Sequence, residues 1–215
     1  MKYKLVCFDL DGTIIDETIF IWQTLHDALG TDKDERQIAM GDFFAGKITY
    51  SQWAEYDFEL WKKAGATKTK VMEALNRLRL MKGARETLEE LKKRGLKLAI
   101  ISGSLDFALE KVLPDYRKYF DQVFINKVIF KGEALETIQP TPFDFKRKAD
   151  ALKEICMYEG IDVSECVFVG DHDNDIYVAE LAGLAIAFNC KSDKLAQIAD
   201  VIIKKKDLRE ILKHI

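Results

Sequence analysis

Two short acidic segments carry residue types that could bind a cation or attack an electrophile. The first, residues 9–13 with the sequence DLDGT, directly follows an apolar run at residues 5–8. Its carboxylates, Asp9 and Asp11, could bind a cation, supply a nucleophile or simply end a strand. A calcium loop of the EF-hand type is excluded, because its sixth and twelfth positions, counted from Asp9, are Ile14 and Phe20 instead of Gly and Glu.

The second acidic segment, residues 171–175 with the sequence DHDND, also follows an apolar run. Asp171 and Asp175 are four residues apart and would share one face of a helix that begins here. One aspartate would suffice to cap that helix. Three aspartates in five residues repel one another unless a cation compensates, and hard oxygen ligands of this kind suit Mg²⁺. His172 is disfavoured as a ligand, because such sites rarely use imidazole.

Two further pieces could bind a phosphate group. Ser102 and Gly103 stand at the end of another apolar run, where a hydroxyl and backbone N–H groups can hold a phosphate oxygen. Lys148 begins a helical pattern, and a lysine near paired carboxylates neutralises both a nucleophile and an incoming phosphate. Each piece alone is a weak signal, since Ser-Gly is common in turns and lysine is common on surfaces.

The elements that must position these residues alternate between strands and helices. Short apolar runs predict buried strands, and helical periodicity at residues 85–94 and 149–158 predicts helices between them. A turn at Lys131-Gly132 predicts a β-hairpin. This alternation predicts an α/β fold with a doubly wound, mostly parallel sheet. The predicted strands are residues 5–8, 96–102, 123–125, 167–170, 185–188 and 201–203.

One long segment interrupts the alternation. Between about residues 17 and 80 the pattern is helical, with breaks near Gly30, Gly46 and Gly65 and with no convincing strand. A crossover between parallel strands needs only a dozen or so residues. The sequence therefore predicts a helical cap inserted between the first two strands.

The amino-acid composition excludes several classes of protein. The chain has 215 residues, with 33 Lys plus Arg against 36 Asp plus Glu, and 48% of its residues are hydrophobic. This excludes a disordered chain and gives no basic excess that would indicate a nucleic-acid partner. No apolar run approaches the ~20 residues of a membrane span, and none resembles a signal peptide. The four cysteines form no Cys-x-x-Cys pair, so we expect a reduced, cytoplasmic protein.

Together, the four pieces resemble the motifs of the haloacid dehalogenase-like hydrolase superfamily, and within it the phosphoserine phosphatase-like family. The resemblance covers essentially the whole chain: residues 9–13 are similar to motif I, Ser102 and Gly103 to motif II, Lys148 to motif III and residues 170–175 to motif IV. It implies a Rossmann-like catalytic core formed by residues 1–15 and 81–215. Residues 16–80 would be the helical cap.

The resemblance also implies a Mg²⁺-dependent phosphatase that acts through an aspartyl-phosphate. Asp9 would be the nucleophile, and Asp11 would protonate the leaving oxygen, an acid that carbon–halogen dehalogenases lack. The alternatives are a phosphotransferase or mutase of the same superfamily and, with less support, a non-catalytic binding protein. By the same resemblance, Asp9, Asp171 and the main-chain carbonyl of Asp11 would be the Mg²⁺ ligands. Asp175 and Asn174 would support the metal site. Ser102, Gly103 and Lys148 would bind the phosphoryl group.

The substrate is the least determined part of this prediction. In phosphoserine phosphatases, a cap glutamate and a cap arginine recognise the amine and carboxylate of the amino acid. Glu17 could correspond to the glutamate, but Asp57 stands where the arginine is expected and would repel a substrate carboxylate. Ser104 also replaces a second glycine. We therefore expect a small phosphorylated metabolite, with phosphoserine as only one candidate.

Overall fold

A seven-stranded sheet forms the centre of the protein in a computed structural model that describes residues 2–215. Its strands occur in the order β6-β5-β4-β1-β7-β8-β9, and all neighbours are parallel except β5 and β6. The strands are β1 (Leu5–Phe8), β4 (Lys97–Leu105), β5 (Gln122–Lys131), β6 (Ala134–Gln139), β7 (Cys166–Gly170), β8 (Leu184–Phe188) and β9 (Val201–Ile203), with the two-residue strands β2 (Ile15–Asp16) and β3 (Arg79–Leu80) outside this sheet.

Nine α-helices accompany the strands in the described part of the chain. Short 3₁₀ turns at Phe145–Arg147 and Asp173–Asp175 lead into two of them. The helices are α1 (Ile21–Leu29), α2 (Lys33–Phe44), α3 (Tyr50–Lys63), α4 (Lys68–Ala74), α5 (Ala84–Lys93), α6 (Asp106–Val112), α7 (Lys148–Glu159), α8 (Ile176–Leu181) and α9 (Asp193–Ile198).

Both faces of the sheet are covered, as the continuous apolar runs predict. Successive side chains of a strand point to opposite faces, and in β1 Val6 and Phe8 join one apolar cluster while Leu5 and Cys7 join the other. Helix α5 packs into the first cluster, and α7 and α8 pack into the second. The predicted doubly wound, mostly parallel α/β fold is confirmed, including the hairpin turn that follows Lys131.

The topology creates a crevice at the carboxyl end of β1. The chain passes from β1 to β4 on one side and later to β7 on the other, so the strand order reverses at β1. Open α/β sheets bind ligands at such a switch point, outside the carboxyl ends of the strands. Residues that follow β1, β4 and β7 must therefore meet at one place.

The helical segment, residues 17–80, contains α1 to α4 in succession. Helices α1, α2 and α3 end just before Gly30, Gly46 and Gly65, each of which has a positive φ angle that glycine adopts without strain. The expectation of no strand here is wrong at one point. Arg79–Leu80 pairs antiparallel with Ile15–Asp16, so a two-stranded ribbon joins the ends of the segment.

No helix in residues 2–215 combines the length and the apolar character that a membrane crossing requires.

Candidate active site

Three carboxylates from two strand ends converge in the crevice. Asp9 follows β1, while Asp171 and Asp175 follow β7, and each is buried. One carboxylate oxygen of each lies within 4.8 Å of the others. The aligned register of β1 and β7, in which Phe8 pairs with Val169, brings these distant parts of the chain together.

Lys148 provides the positive charge at this cluster. It begins α7 and is fully buried, and its Nζ lies 2.7 Å from Oδ1 of Asp9 and 2.8 Å from Oδ1 of Asp175. Burial by itself lowers the pKa of this lysine. The neighbouring carboxylates of Asp175, Asp9 and Asp144 together have a larger, opposite effect, so the pKa lies well above its usual value. Lys148 is therefore a permanent cation that holds the Asp9 side chain in place.

The Asp171 carboxylate has both oxygens free to bind a metal ion. Both of its carboxylate oxygens are buried, and neither accepts a hydrogen bond from the described residues. Burial raises its pKa to about 9, with further contributions from Asp9 and Asp175. A buried carboxylate without donors is costly, whereas a divalent cation shared with Asp9 and Asp175 would satisfy all three. The residues present therefore fit a hard, oxygen-binding cation.

The Asp11 carboxylate is held by two hydrogen-bond donors. Its Oδ2 accepts a 2.7 Å hydrogen bond from the backbone N–H of Ile21, the first residue of α1, and its Oδ1 accepts a 2.8 Å bond from the Ser104 hydroxyl. Burial raises the pKa of Asp11 to about 7, and the negative charge of Asp9 adds to this effect. Such a carboxyl group can release and recover a proton near neutral pH.

A break in the regular pairing of β4 with β5 after Ile101 lies at the predicted phosphate-binding groups, which are beside the cluster. Ser102, Gly103 and Ser104 line the same cavity as Asp9, Asp11 and Asp171. Ser102 Oγ accepts a 3.2 Å hydrogen bond from the Ser104 N–H. The structure thus brings the Ser102 and Gly103 positions next to the carboxylates.

The carbonyl oxygen of Gly103 accepts three hydrogen bonds, two of them from the helical segment. Trp22 Nε1 donates at 2.8 Å, the Tyr50 hydroxyl at 3.0 Å and Asn126 Nδ2 at 2.6 Å. Gly103 is needed for this arrangement, because a Cβ atom there would lie 2.0 Å from Oδ2 of Asp144. The orientation of the Gly103 peptide therefore depends on contacts with α1 and α3.

Asn174 does not touch the carboxylate cluster. Its Nδ2 donates a 3.0 Å hydrogen bond to Oδ1 of Asp144, a buried residue whose Oδ1 lies 3.9 Å from Nζ of Lys148. Burial raises the pKa of Asp144 despite the nearby lysine. Asn174 would thus support the site by positioning Asp144.

These groups open into one cavity of about 920 Å³ between the sheet and the helical segment. His172 also lines this cavity but does not join the three-carboxylate cluster. Asp9, Asp11 and Asp171 line the part of the cavity that we call the catalytic floor, and aromatic side chains also belong to the lining. A cavity of this size is at the upper end of the range for small-molecule sites.

Asp57 lies elsewhere than its predicted role requires, while Glu17 lies in a cavity next to the main one. Glu17 is exposed, has a positive φ angle of 66° and lines a neighbouring cavity, which shares Asp171 with the main one. Asp57 is 2% exposed and faces His26, with its Oδ2 3.2 Å from the imidazole Nε2. Asp57 does not face the cavity, so the predicted repulsion of a substrate carboxylate is wrong.

Ser104 and Asp144 were missed by sequence reasoning. In the sequence Ser104 is only a departure from the family's second glycine, whereas in the structure its hydroxyl donates to the Asp11 carboxylate. Asp144 precedes Lys148 by four residues, the spacing of neighbours on a helix, although Asp144 itself has an extended backbone before the turn at Phe145–Arg147. That spacing was the one available signal, but it is common on solvated helices.

The site and the fold together define a class of enzyme. Residues 3–183 match the family model described as "Hydrolase: haloacid dehalogenase-like hydrolase". The chain belongs to this family, and the predicted resemblance is confirmed, as is the prediction of a phosphatase of this class.

Among particular proteins, the chain is similar to phosphoserine phosphatases. It is 35% identical to the phosphoserine phosphatase of Methanocaldococcus jannaschii over 100% of this chain and 98% of that protein. It is 31% identical to that of Campylobacter jejuni subsp. doylei, with 99% of each covered. A solved phospho-aspartyl intermediate analogue of phosphoserine phosphatase superposes with a TM-score of 0.75 at 33% identity, with 100% of both chains covered.

Proposed function

We propose that this protein hydrolyses the phosphomonoester of a small molecule through an aspartyl-phosphate on Asp9, with Mg²⁺ as cofactor. The observation that carries the proposal is the position of Asp9. Its carboxylate is fixed 2.7 Å from the Lys148 ammonium and clusters with Asp171 and Asp175 at the switch point of the sheet. A carboxylate held this way is a nucleophile of an established kind.

Mg²⁺ would be held by Asp9, Asp171 and the main-chain carbonyl of Asp11, with Asp175 in support. The unpartnered oxygens of Asp171 favour this assignment. When bound, the cation would offset the negative charge of the clustered carboxylates and polarise the phosphoryl group. Lys148 contributes a second positive charge, and Ser102 with the Gly103 N–H would bind the remaining phosphoryl oxygens.

The chemical steps use Asp9 and Asp11. An oxygen of Asp9 attacks phosphorus, the bond from phosphorus to the ester oxygen breaks, and Asp11 gives its proton to the departing alcohol. Asp11 then takes a proton from a water molecule as that water attacks phosphorus. The aspartyl-phosphate bond breaks, releasing inorganic phosphate and the free Asp9 carboxylate. The donors Ile21 and Ser104 hold the Asp11 carboxyl in place, and its raised pKa of about 7 suits this alternating role.

We propose residues 1–15 and 81–215 as the catalytic core and residues 16–80 as the cap. The cap would close the cavity above Asp9, because α1 and α3 supply the donors to Gly103. Contact of Glu17 with the substrate remains a prediction that its exposed position does not support. A cytoplasmic location is consistent with the four free cysteines, three of them buried.

The proposal is tested by phosphate release from 4-nitrophenyl phosphate in the presence of Mg²⁺. We expect Asp9→Asn to lower the rate by more than about 10³-fold while keeping the native circular dichroism spectrum. The exposed Asp193→Asn is the matched control and should retain full activity. Acid quenching during turnover should trap a phosphorylated chain in the wild type and in Asp193→Asn, and none in Asp9→Asn. Full activity of Asp9→Asn would rule out the mechanism.

A further inference from the structure

Beyond the phosphoryl site, the cavity is bounded by an aromatic wall. We use this name for Phe43, Phe44, Tyr50 and Trp53 of the cap together with Phe145 of the core. The apolar side chains of Met40 and Ile48 extend the same surface. The wall is continuous with the catalytic floor, so a substrate bound through its phosphate would place its alcohol portion here.

The rings of the wall contact one another across the cap–core boundary. Phe43 stacks on Trp53 with ring centroids 4.9 Å apart, and its centroid lies 5.1 Å from that of Phe145. Phe44 meets Phe145 edge to face at 5.7 Å. These contacts make one extended apolar surface, against which a flat apolar group can stack.

Two features indicate that this surface binds something. Phe44 is 64% exposed although it is a large aromatic residue at the cavity. Phe145 has a φ angle of +48°, a strained conformation for a bulky residue. Strain of this kind persists at ligand-binding positions, where surrounding structure enforces it.

None of the cap residues that line the cavity is charged. An amino acid bound here would find no charged cap residue in the cavity lining to pair with its ammonium or its carboxylate, and burying an unpaired charge is strongly unfavourable. Arg36, a half-buried arginine of the cap, faces Asp57 and Gln23 instead of the cavity. The cap residues lining the cavity are Ile19, Phe20, Met40, Phe43, Phe44, Gly46, Ile48, Thr49, Tyr50, Ser51 and Trp53.

The basic residues of the cavity lie on the core side and face solvent. Lys146, Arg147 and Lys194 are exposed, and the Arg147 guanidinium already pairs with Asp150 at 3.3 Å. Exposed ion pairs contribute little to binding energy. These residues therefore do not replace the missing charges of the cap.

We propose that the substrate is a phosphomonoester whose alcohol portion is uncharged and aromatic, stacked on the aromatic wall. This inference rests on the proposed phosphatase function and adds the chemical class of the substrate. Under this proposal phosphoserine, the substrate in the names of the similar proteins, is not the preferred substrate here. Its serine portion carries an ammonium and a carboxylate, and the aromatic wall has no charged group to pair with either.

Three alkyl phosphates test the inference on the full chain with Mg²⁺. Benzyl phosphate carries a ring, ethyl phosphate is the same kind of ester without one, and O-phosphoserine carries the two charges. We expect kcat/KM for benzyl phosphate to exceed that for ethyl phosphate by at least about tenfold, and to exceed that for phosphoserine as well. A phosphoserine value equal to or above the benzyl phosphate value would overturn the inference and leave the proposed function intact.

A variant of the wall identifies the surface responsible. Phe44→Ala removes an exposed ring, and we expect the ratio of benzyl to ethyl phosphate kcat/KM to fall by about fivefold or more, with partial recovery in Phe44→Leu. Tyr158→Ala removes a 77% exposed aromatic side chain that does not line the cavity and should leave the ratio unchanged. An unchanged ratio in Phe44→Ala would overturn the role of the wall. If the wild type released phosphate from none of the three esters, the proposed function itself would be overturned.

Discussion

Gly12 packs directly against the carboxylate of Asp171. A Cβ atom at position 12 would lie 2.2 Å from Oδ2 of Asp171, well inside any allowed contact, and the φ angle of Gly12 is +76°. The two residues are far apart in sequence but meet because β1 and β7 are neighbours in the sheet. The glycine of the DLDGT segment therefore makes room for the proposed metal ligand.

We predict that Gly12→Ala abolishes activity by displacing Asp171. The added methyl group must push the carboxylate away from Asp9 and Asp175, so Mg²⁺-dependent phosphate release should fall by more than about 10²-fold. Steady-state kinetics with 4-nitrophenyl phosphate measure this loss.

Gly132→Ala is the matched control for Gly12→Ala. Gly132 also has a positive φ angle, +60°, but an added Cβ would meet nothing within 4 Å. Both variants carry the cost of about 1–2 kcal/mol for a left-handed alanine, and only Gly12→Ala adds the clash. Equal activity losses in the two variants would show that backbone strain, and not contact with Asp171, is responsible.

We predict that Mg²⁺ stabilises the wild type and not Asp171→Asn. At a Mg²⁺ concentration of one hundred times Kd, binding adds about 2.7 kcal/mol, which raises Tm by about 5–10 °C for a chain of this size. Differential scanning calorimetry with EDTA and with Mg²⁺ measures the shift. In EDTA, Asp171→Asn should melt no lower than the wild type, because it removes a carboxylate that repels Asp9. A full Mg²⁺ shift in the variant would exclude Asp171 as a ligand.

We predict that Lys148→Met loses both activity and stability. Removing the buried ammonium leaves Asp9 and Asp175 without their shared partner, and breaking a buried ion pair costs about 3–5 kcal/mol. Urea unfolding measures the cost, and the kinetic assay measures the activity. Lys153→Met changes an exposed lysine of the same helix and should behave like the wild type. A free energy of unfolding within about 1 kcal/mol of the wild type would contradict this account of Lys148.

We predict that Tyr50→Phe weakens phosphate binding without unfolding the cap. The phenol hydroxyl joins Asn126 to the Gly103 carbonyl, and the net contribution of such a bond is about 1 kcal/mol. The inhibition constant for inorganic phosphate should rise about threefold to tenfold. Tyr56→Phe, on the same helix but 40% exposed, should leave that constant unchanged. The hypothesis fails if both variants bind phosphate as tightly as the wild type.

Much of the catalytic floor follows from local sequence. Asp9 and Asp171 each come directly after a short apolar run, and such runs form buried parallel strands because both faces of the sheet are covered. The carboxyl ends of parallel strands share one edge, so these carboxylates must approach each other. Lys148 was predictable through the family resemblance, and its contact with Asp9 agrees with that prediction.

The substrate side of the site does not follow from local sequence. Asp57 occupies a position where the sequence predicts contact with the substrate, yet α3 turns its side chain toward His26. Glu17 sits close to Asp11 in sequence, and it is exposed at a neighbouring cavity that shares Ile19, Phe20 and Asp171 with the main one. Which way a helical side chain points depends on how the helix packs against its neighbours, and no pattern within the helix specifies that rotation.

The sequence by itself therefore determined the sheet, the order of the motifs and the carboxylates at the strand ends, because these depend on hydrophobic runs and on the chain direction of neighbouring strands. Only the tertiary structure decided that Ser104 holds Asp11, that Gly12 contacts Asp171 and that Phe145 completes the aromatic wall. Each of these contacts joins residues that are distant in the chain. The first two are set by packing within the core, and the third is set by packing between the core and the cap.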